Sequence, residues 1–124
     1  MEPSKLRYTE THEWLSLEGS RARVGITDHA QKEISDVVFV ELPKTGRNVH
    51  AKESVMVVES VKAAFDIYAP MSGTVTKVNE KLQMKPELVN QSPLGEGWLY
   101  ELECASPADF EKLLTEGQYK SVAH

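Results

Sequence analysis

Cysteine is almost absent from this sequence, which contains only Cys104 among its 124 residues. One cysteine cannot form an internal disulfide bond, so the chain fits a reducing compartment. Cys104 lies in an alternating pattern that is typical of a strand. We interpret it as a small buried apolar residue rather than as a redox thiol.

Long hydrophobic runs and targeting signals are absent as well. No stretch approaches the apolar length of a membrane span. Residues 1–4 have neither a signal-peptide core nor the arginine-rich character of a transit peptide. We therefore expect no membrane association and a bacterial cytoplasmic location. A mature mitochondrial matrix protein that carries a cloning methionine is the alternative.

A concentrated basic face is also missing. The formal net charge is −5 at pH 7 and the basic residues are scattered, which argues against nucleic-acid binding. A chain of 124 residues is long enough to bury one core but not two. We predict a single domain over residues 1–124, with loose ends at residues 1–6 and 118–124.

The sequence lacks a recognisable catalytic constellation. No nucleophile–base pair and no phosphate-binding glycine loop is apparent. His12 and His29 invite a metal or acid–base interpretation, but neither has the spacing of a known ligand motif. We predict that both histidines are structural or surface residues, that the chain has no metal site, and that it is not an enzyme.

What the sequence does contain is a series of short strands separated by Pro/Gly turns, which is typical of a mainly β barrel or sandwich. Residues 37–42 are almost all apolar and predict a strand covered on both faces. The other predicted strands are 14–17, 21–26, 55–58, 65–68, 74–78 and 98–103, with helical turns at 79–84 and 86–89.

Two helices have clear start signals. Thr27 is predicted to be the N-cap of a short helix over residues 28–34. A C-terminal helix is predicted to begin at Ser106 and to end at Gly117. The apolar face of that second helix consists of Phe110, Leu113 and Leu114.

One hairpin tip, residues 59–64, separates an apolar run from an alternating strand. The tip contains Val61 and Lys62 instead of the Asn and Gly that tight hairpins usually need for positive φ. We predict a type I turn whose residues serve another purpose. Glu59 lies three positions before the lysine, where a modifying enzyme could recognise it. Lys62 is a candidate modification site, and an ordinary solvated lysine remains the alternative from spacing alone.

Five blocks of residues, in order along the chain, carry a resemblance to a known family. The blocks are Tyr8-Thr9 with His12-Glu13-Trp14; 24–27 with 29–31; 36–43 with Gly46; 59–63 with 66–70 and Ser72-Gly73; and 86–90 with Gly97-Trp98. They resemble the glycine cleavage system H protein family of lipoyl carriers, over roughly residues 6–114. The modified lysine of biotinyl domains usually lies between two methionines, whereas Lys62 lies between Val61 and Ala63, which favours lipoate.

The resemblance implies a fold and a modification. The fold would be a flattened, quasi-symmetric β-barrel or sandwich of the lipoyl/biotinyl type, with short helices and a C-terminal helix. Lipoate would be joined to Lys62 through an amide bond. The residues that a modifying enzyme would recognise around this lysine are Glu59, Ser60, Val61 and Ala63.

The resemblance also implies a lipoylated carrier of the glycine cleavage system that catalyses nothing itself. It would carry the aminomethyl group of glycine from a PLP-dependent glycine decarboxylase (P protein) to a tetrahydrofolate-dependent aminomethyltransferase (T protein). Dihydrolipoyl dehydrogenase (L protein) would reoxidise it, and a lipoate ligase or lipoyltransferase would modify it. The alternatives are a lipoyl donor or carrier for 2-oxoacid dehydrogenase complexes, an interaction module with an inert lysine, and a small enzyme.

The loaded arm of such a carrier would end in a protonated amine. A carboxylate can bind an ammonium group through a charge-assisted hydrogen bond. We therefore expect the aminomethyl-lipoyl arm to dock against Glu13 and Thr11, from the opening strand, and against Asp66, just past the lysine. A solvated strand face is the alternative for both acids, and it is favoured for Thr11.

Ser35 departs from the family pattern, in which many members have glycine just before the residue equivalent to Asp36. If the position requires positive φ, serine would strain the backbone mildly. The effect would concern local stability or partner docking rather than the chemistry at Lys62.

Overall fold

The computed structural model describes residues 5–123 and consists mainly of antiparallel strands in two sheets. The strands are β1 (Arg7–Tyr8), β2 (Glu13–Glu18), β3 (Arg21–Ile26), β4 (Val37–Glu41), β5 (Asn48–Val49), β6 (Ser54–Ser60), β7 (Ala64–Tyr68), β8 (Gly73–Val78) and β9 (Tyr100–Cys104). The α-helices are α1 (Asp28–Ile34), α2 (Leu88–Gln91) and α3 (Glu116–Val122), and 3₁₀ helices cover Glu80–Gln83 and Pro107–Lys112. The larger sheet has the order β1-β2-β3-β9-β8-β5 and the smaller has the order β4-β6-β7. The predicted mainly β, barrel- or sandwich-like fold with short helices is confirmed.

The β2–β3 hairpin follows from local signals. Ala22, Val24 and Ile26 alternate along β3 and are all buried, as expected for a strand with one covered face. Gly19 in the connecting turn has a φ of 65°, a conformation that glycine adopts without a Cβ penalty.

The main core lies between the two sheets. Val24 and Leu102 of the larger sheet and Val40 and Val58 of the smaller sheet belong to one cluster of fully buried side chains. Each buried aliphatic side chain of this size stabilises the fold by roughly 1.5–3 kcal/mol relative to exposure. The strand β9 also buries Cys104, which confirms its interpretation as a small core residue.

The β4 prediction is wrong in one respect, because the strand is not covered on both faces. The side chains of Val38 and Phe39 are 54% and 46% exposed. A register shift between Val37 and Phe39 interrupts the pairing of β4 with β6, and such a bulge changes which side chains point outward. The outer face of β4, at the edge of the smaller sheet, is therefore apolar and open.

The C-terminal helix is also not the single helix that was predicted. The chain forms a 3₁₀ helix over Pro107–Lys112, becomes extended, and then forms α3, so Gly117 lies inside a helix instead of ending one. Leu114 exchanges two backbone hydrogen bonds with Tyr8, of 2.8 and 3.0 Å, and this pairing requires extended backbone. Thr115 then begins α3 through a capping box with Gln118.

Described residues near both ends of the chain pack into the fold. Leu6 is 2% exposed and Tyr119 of α3 is 6% exposed, so these two side chains are buried within segments that were predicted to be loose. The rings of Tyr8 and Tyr119 stack with centroids 4.8 Å apart, and both pack in a second apolar cluster with Trp14. Residues 1–4 and 124 lie outside the described part of the chain.

The predicted helix over residues 28–34 is confirmed as α1. The side-chain oxygen of Thr27 accepts a hydrogen bond from the Ala30 N–H, so Thr27 is its N-cap. The helical turn predicted at residues 79–84 is present as the 3₁₀ helix Glu80–Gln83. Within residues 5–123, no helix combines the length and the apolar character that crossing a membrane would require.

Candidate functional site

The tip of the β6–β7 hairpin is shaped by one serine. Ser60 accepts hydrogen bonds at its Oγ from the backbone N–H groups of Lys62, at 3.0 Å, and Ala63, at 3.2 Å. Its own N–H donates to the Ala63 carbonyl at 2.9 Å. No residue of the tip is among the described residues with positive φ. A side-chain oxygen thus satisfies the turn, which explains why neither Asn nor Gly is needed there.

The tip is also tied to the end of helix α1. The Val61 N–H donates to the Asp36 carbonyl at 3.0 Å. The Lys62 Nζ donates to the Glu33 carbonyl at 3.3 Å, where the free carbonyl groups of a helix C-terminus attract cations. The lysine is exposed, and its only described hydrogen-bond partner through Nζ is this main-chain oxygen.

Asn90 supports the tip from behind, and sequence reasoning assigned it no role. Its side chain donates to the Ser35 carbonyl at 2.8 Å and accepts from the Val37 N–H at 2.9 Å. These two bonds set the position of the intervening Asp36, whose carbonyl binds Val61 of the tip. The one feature of the sequence that could have pointed to Asn90 is its position at the end of the block 86–90.

The sheet surface next to Lys62 combines apolar and acidic side chains. Val61 is 69% exposed, and Phe39 is exposed on the neighbouring β4. Phe39, Glu59 and Ala64 are paired across the three strands of the smaller sheet. Exposed apolar groups that are flanked by charge are typical of protein contact surfaces. Ser60, Ala63 and the other residues proposed for recognition therefore surround the lysine on one accessible edge.

Glu13 and Thr11, two of the residues expected to dock the cargo, are in contact. Glu13 is 1% exposed, and its Oε1 accepts hydrogen bonds from the hydroxyls of Thr9 and Thr11, each at 2.5 Å. Its Oε2 accepts from the Tyr68 N–H at 3.4 Å. Burial raises the pKa of the Glu13 carboxyl, and these hydrogen bonds oppose that rise. Glu13 thus has partners of its own and is not a solvated strand residue.

Asp66 lies apart from this pair. It is exposed on β7 and accepts a hydrogen bond from the Ser54 hydroxyl at 2.9 Å. It lies two residues before Tyr68, which is roughly 7 Å along a strand. Strand β7 runs from the lysine tip to the backbone N–H that contacts Glu13, a span of roughly 14 Å. A bare lysine side chain is too short for that span. Only a longer arm attached to Lys62 could reach Glu13 and Thr11.

His12 and His29 meet in the fold. Their ring centroids are 4.5 Å apart, and His29 Nε2 lies 3.0 Å from Glu33 Oε1. His12 Nδ1 lies 2.7 Å from the hydroxyl of Tyr119. Burial and the nearby His29 lower the pKa of His12, whereas burial raises the pKa of the Tyr119 hydroxyl. Both histidines therefore have partners, and their proximity could not be inferred from their spacing.

Comparison with known proteins gives consistent matches along the chain. The family model described as "Glycine cleavage H-protein" matches residues 6–124. A glycine cleavage system H protein of Thermotoga maritima is 53% identical over 114 residues, which are 92% of this chain and 92% of that protein. One from Acinetobacter baumannii strain SDF is 51% identical over 119 residues, covering 96% of both.

A solved structure agrees with these sequence matches. The crystal structure of a glycine cleavage system H protein from Mycobacterium marinum has a TM-score of 0.87 to this chain, with 36% identity. The match covers 97% of each chain. Because the family model matches nearly the whole chain and about half of the sequence is identical to named relatives, the chain belongs to the glycine cleavage H-protein family, the lipoyl carriers of the glycine cleavage system.

Proposed function

We propose that Lys62 is the lipoate attachment residue and that the chain carries the aminomethyl group of glycine between the enzymes of the glycine cleavage system. The observation that supports this most directly is the tip itself. Ser60 and the Asp36 carbonyl fix the backbone on both sides of an exposed lysine. Such a tip presents one amine in one defined place, which is what a modifying enzyme needs.

The residues around the lysine fit a lipoyl amide. Among residues 5–123, the exposed Lys62 ammonium donates only to the Glu33 carbonyl, so converting it to a neutral amide leaves no buried charge without a partner. Lipoate would supply a redox-active disulfide ring at the end of a long flexible arm. Val61, Glu59, Ser60 and Ala63 would be the contacts that a lipoate ligase or lipoyltransferase recognises.

Glu13, Thr11 and Asp66 would bind the amine of the cargo. The Glu13 carboxylate already accepts two hydroxyl hydrogen bonds, and rotation of the exposed Thr11 would open one oxygen to an ammonium donor. A charge-assisted bond in a site with little water is stronger than one in solvent. Asp66 would contribute a second negative charge on the path along β7. Holding the amine would keep the cargo from being lost to water between enzymes.

Three enzymes would be served in turn. The chain would receive its cargo from the PLP-dependent glycine decarboxylase, pass it to the tetrahydrofolate-dependent aminomethyltransferase, and be reoxidised by dihydrolipoyl dehydrogenase. The chain itself would catalyse none of these steps. Because the relatives named above are bacterial, we place this carrier in the bacterial cytoplasm.

The attachment site is tested by intact mass and peptide mapping of protein from a lipoate-replete host with a competent ligase. We expect a mass gain of one lipoyl group through an amide, confined to the peptide that contains Lys62. Lys62→Arg should abolish the gain. Lys77→Arg, at an exposed lysine of β8, is the matched control and should retain it. A bare Lys62 in the unaltered protein would instead favour a plain interaction module.

The docking role is tested with the lipoylated protein loaded by glycine decarboxylase. Glu13→Gln should shorten the lifetime of the bound aminomethyl group by about ten-fold, the equivalent of one charge-assisted hydrogen bond. Glu18→Gln changes an exposed glutamate of the same strand and should leave that lifetime unaltered. Equal lifetimes for the two variants would rule out Glu13 as the docking carboxylate.

A further inference from the structure

Three side chains with metal-binding atoms converge between helix α1 and the turn before β2. The ligand atoms of His12, His29 and Glu33 all lie within 4.8 Å of one another. None of the three is needed for the attachment or docking roles proposed above. Two imidazoles and one carboxylate form the same ligand set that binds catalytic zinc in several enzymes, with a further position open to water.

The fold places these groups with little freedom. His29 and Glu33 are four residues apart on α1, so they lie on one face, one turn apart. His12 lies in the turn before β2 with a φ of 72°, and its carbonyl accepts the Thr27 N–H at 3.0 Å. That bond fixes the turn against the start of the helix. A non-glycine residue with positive φ is uncommon and is often found at functional sites.

A second layer of hydrogen bonds orients the His12 ring. Its Nδ1 is 2.7 Å from the Tyr119 hydroxyl, which is 2.7 Å from the Thr27 hydroxyl. Thr27 also caps α1 by accepting the Ala30 N–H. When the Nδ1–H group donates to Tyr119, the Nε2 lone pair is left for a metal. Metal-binding histidines almost always have a partner of this kind on the other ring nitrogen.

We propose that His12, His29 and Glu33 bind one divalent transition-metal ion of the zinc type. Metal–ligand distances of about 2.0–2.2 Å require ligand atoms roughly 3.4 Å apart in a tetrahedron. The ligand atoms lie up to 4.8 Å apart, so the most widely separated atoms must approach by up to about 1.4 Å. The side chains of His29 and Glu33 are 25% and 60% exposed and have room to rotate. Imidazole ligands favour Zn²⁺, Ni²⁺ and Cu²⁺, whereas Mg²⁺ and Ca²⁺ prefer oxygen ligands alone.

The test is calorimetric titration of the full chain with ZnCl₂, with MgCl₂ as the comparison ion. We expect one Zn²⁺ per chain and no measurable Mg²⁺ binding. His29→Gln and Glu33→Gln change partly or largely exposed side chains of α1, so circular dichroism should show both variants folded. Each should weaken Zn²⁺ binding by at least about ten-fold.

The control uses a histidine outside the cluster. His50→Gln, at an exposed loop residue, should leave the affinity within about two-fold. Co²⁺ in place of Zn²⁺ should give the visible absorption of a four-coordinate site, and His12→Gln should abolish that spectrum. Zn²⁺ binding that is absent, that survives both α1 variants, or that disappears with His50→Gln would overturn the proposal.

Discussion

At the scale of single residues, Ser35 is held in a backbone conformation that serine rarely adopts. Its φ of 74° and ψ of −161° lie in a region that is essentially reserved for glycine. The conformation is retained because both backbone groups are bonded: the Ser35 N–H donates to Gln31 and its carbonyl accepts from Asn90. The sequence raised the possibility of strain here, and the positive φ confirms it.

Replacing this serine with glycine should stabilise the protein. Ser35→Gly removes the Cβ that makes the conformation costly, which should relieve about 1–3 kcal/mol of strain. Glycine also gives the unfolded chain more conformational freedom, which lowers stability by about 0.5–1 kcal/mol. We expect the free energy of unfolding to rise by about 1 kcal/mol in urea denaturation. Ser35→Ala keeps a Cβ in the same conformation and should give no gain. Equal stabilisation by both variants would show that the backbone is not the cause.

At the scale of elements, the close approach of β8 to β9 depends on Gly73. This residue pairs with Cys104 of β9 and with Val49 of β5. A Cβ added here would lie 2.3 Å from the Glu103 carbonyl oxygen, which is backbone and cannot rotate away. The end of the strand pair is therefore closed to any larger residue. Gly73 therefore has a packing role at the start of β8.

Substituting this glycine should separate the strand ends. Gly73→Ala is expected to lower the free energy of unfolding by about 2 kcal/mol or more, since the clash resembles overpacking against a rigid neighbour. Gly117→Ala is the matched control. Apart from its chain neighbours and its own helix backbone, no atom of residues 5–123 lies within 4 Å of a Cβ added at Gly117. Alanine favours a helix over glycine by about 0.5–1 kcal/mol. In thermal unfolding, the melting temperature should therefore fall for Gly73→Ala and rise for Gly117→Ala.

At the scale of the whole molecule, Tyr119 joins the two ends of the described chain. Its ring stacks on Tyr8 of the first strand, and its hydroxyl contacts both His12 and Thr27. One side chain of the last helix thus meets the first strand, the turn before β2 and the start of α1. Burial raises the pKa of Tyr8 to about 12, as expected for a hydroxyl enclosed in this cluster.

Removal of the Tyr119 hydroxyl should weaken the contacts with both His12 and Thr27 and lower the free energy of unfolding. Tyr119→Phe keeps the ring but leaves the buried Thr27 hydroxyl short of a partner, which costs about 1–3 kcal/mol of the free energy of unfolding. Tyr68→Phe is the control, because the Tyr68 hydroxyl makes no hydrogen bond to another residue within 5–123. A loss of equal size in the control would show that the effect does not come from the hydrogen bonds of the Tyr119 hydroxyl. Urea denaturation of both variants decides between these outcomes.

Elements that depend on near neighbours can be predicted from the amino-acid sequence. The alternation in β3, the N-cap at Thr27 and the unusual composition of the Lys62 tip all act over a few residues. Periodicity and capping are local effects, so they can be read without knowing where the rest of the chain lies. The candidate lysine and the strands on either side of it were identified in this way.

Contacts between distant segments became visible in the folded chain. The backbone pairing of Tyr8 with Leu114 divides the predicted C-terminal helix, because two long-range hydrogen bonds outweigh a weak local helix preference. The bulge in β4 exposes Phe39, although its sequence is that of a buried strand. Asn90 reaches the loop behind the tip, and His12 meets His29 and Glu33, because folding brings side chains together that no spacing along the chain relates.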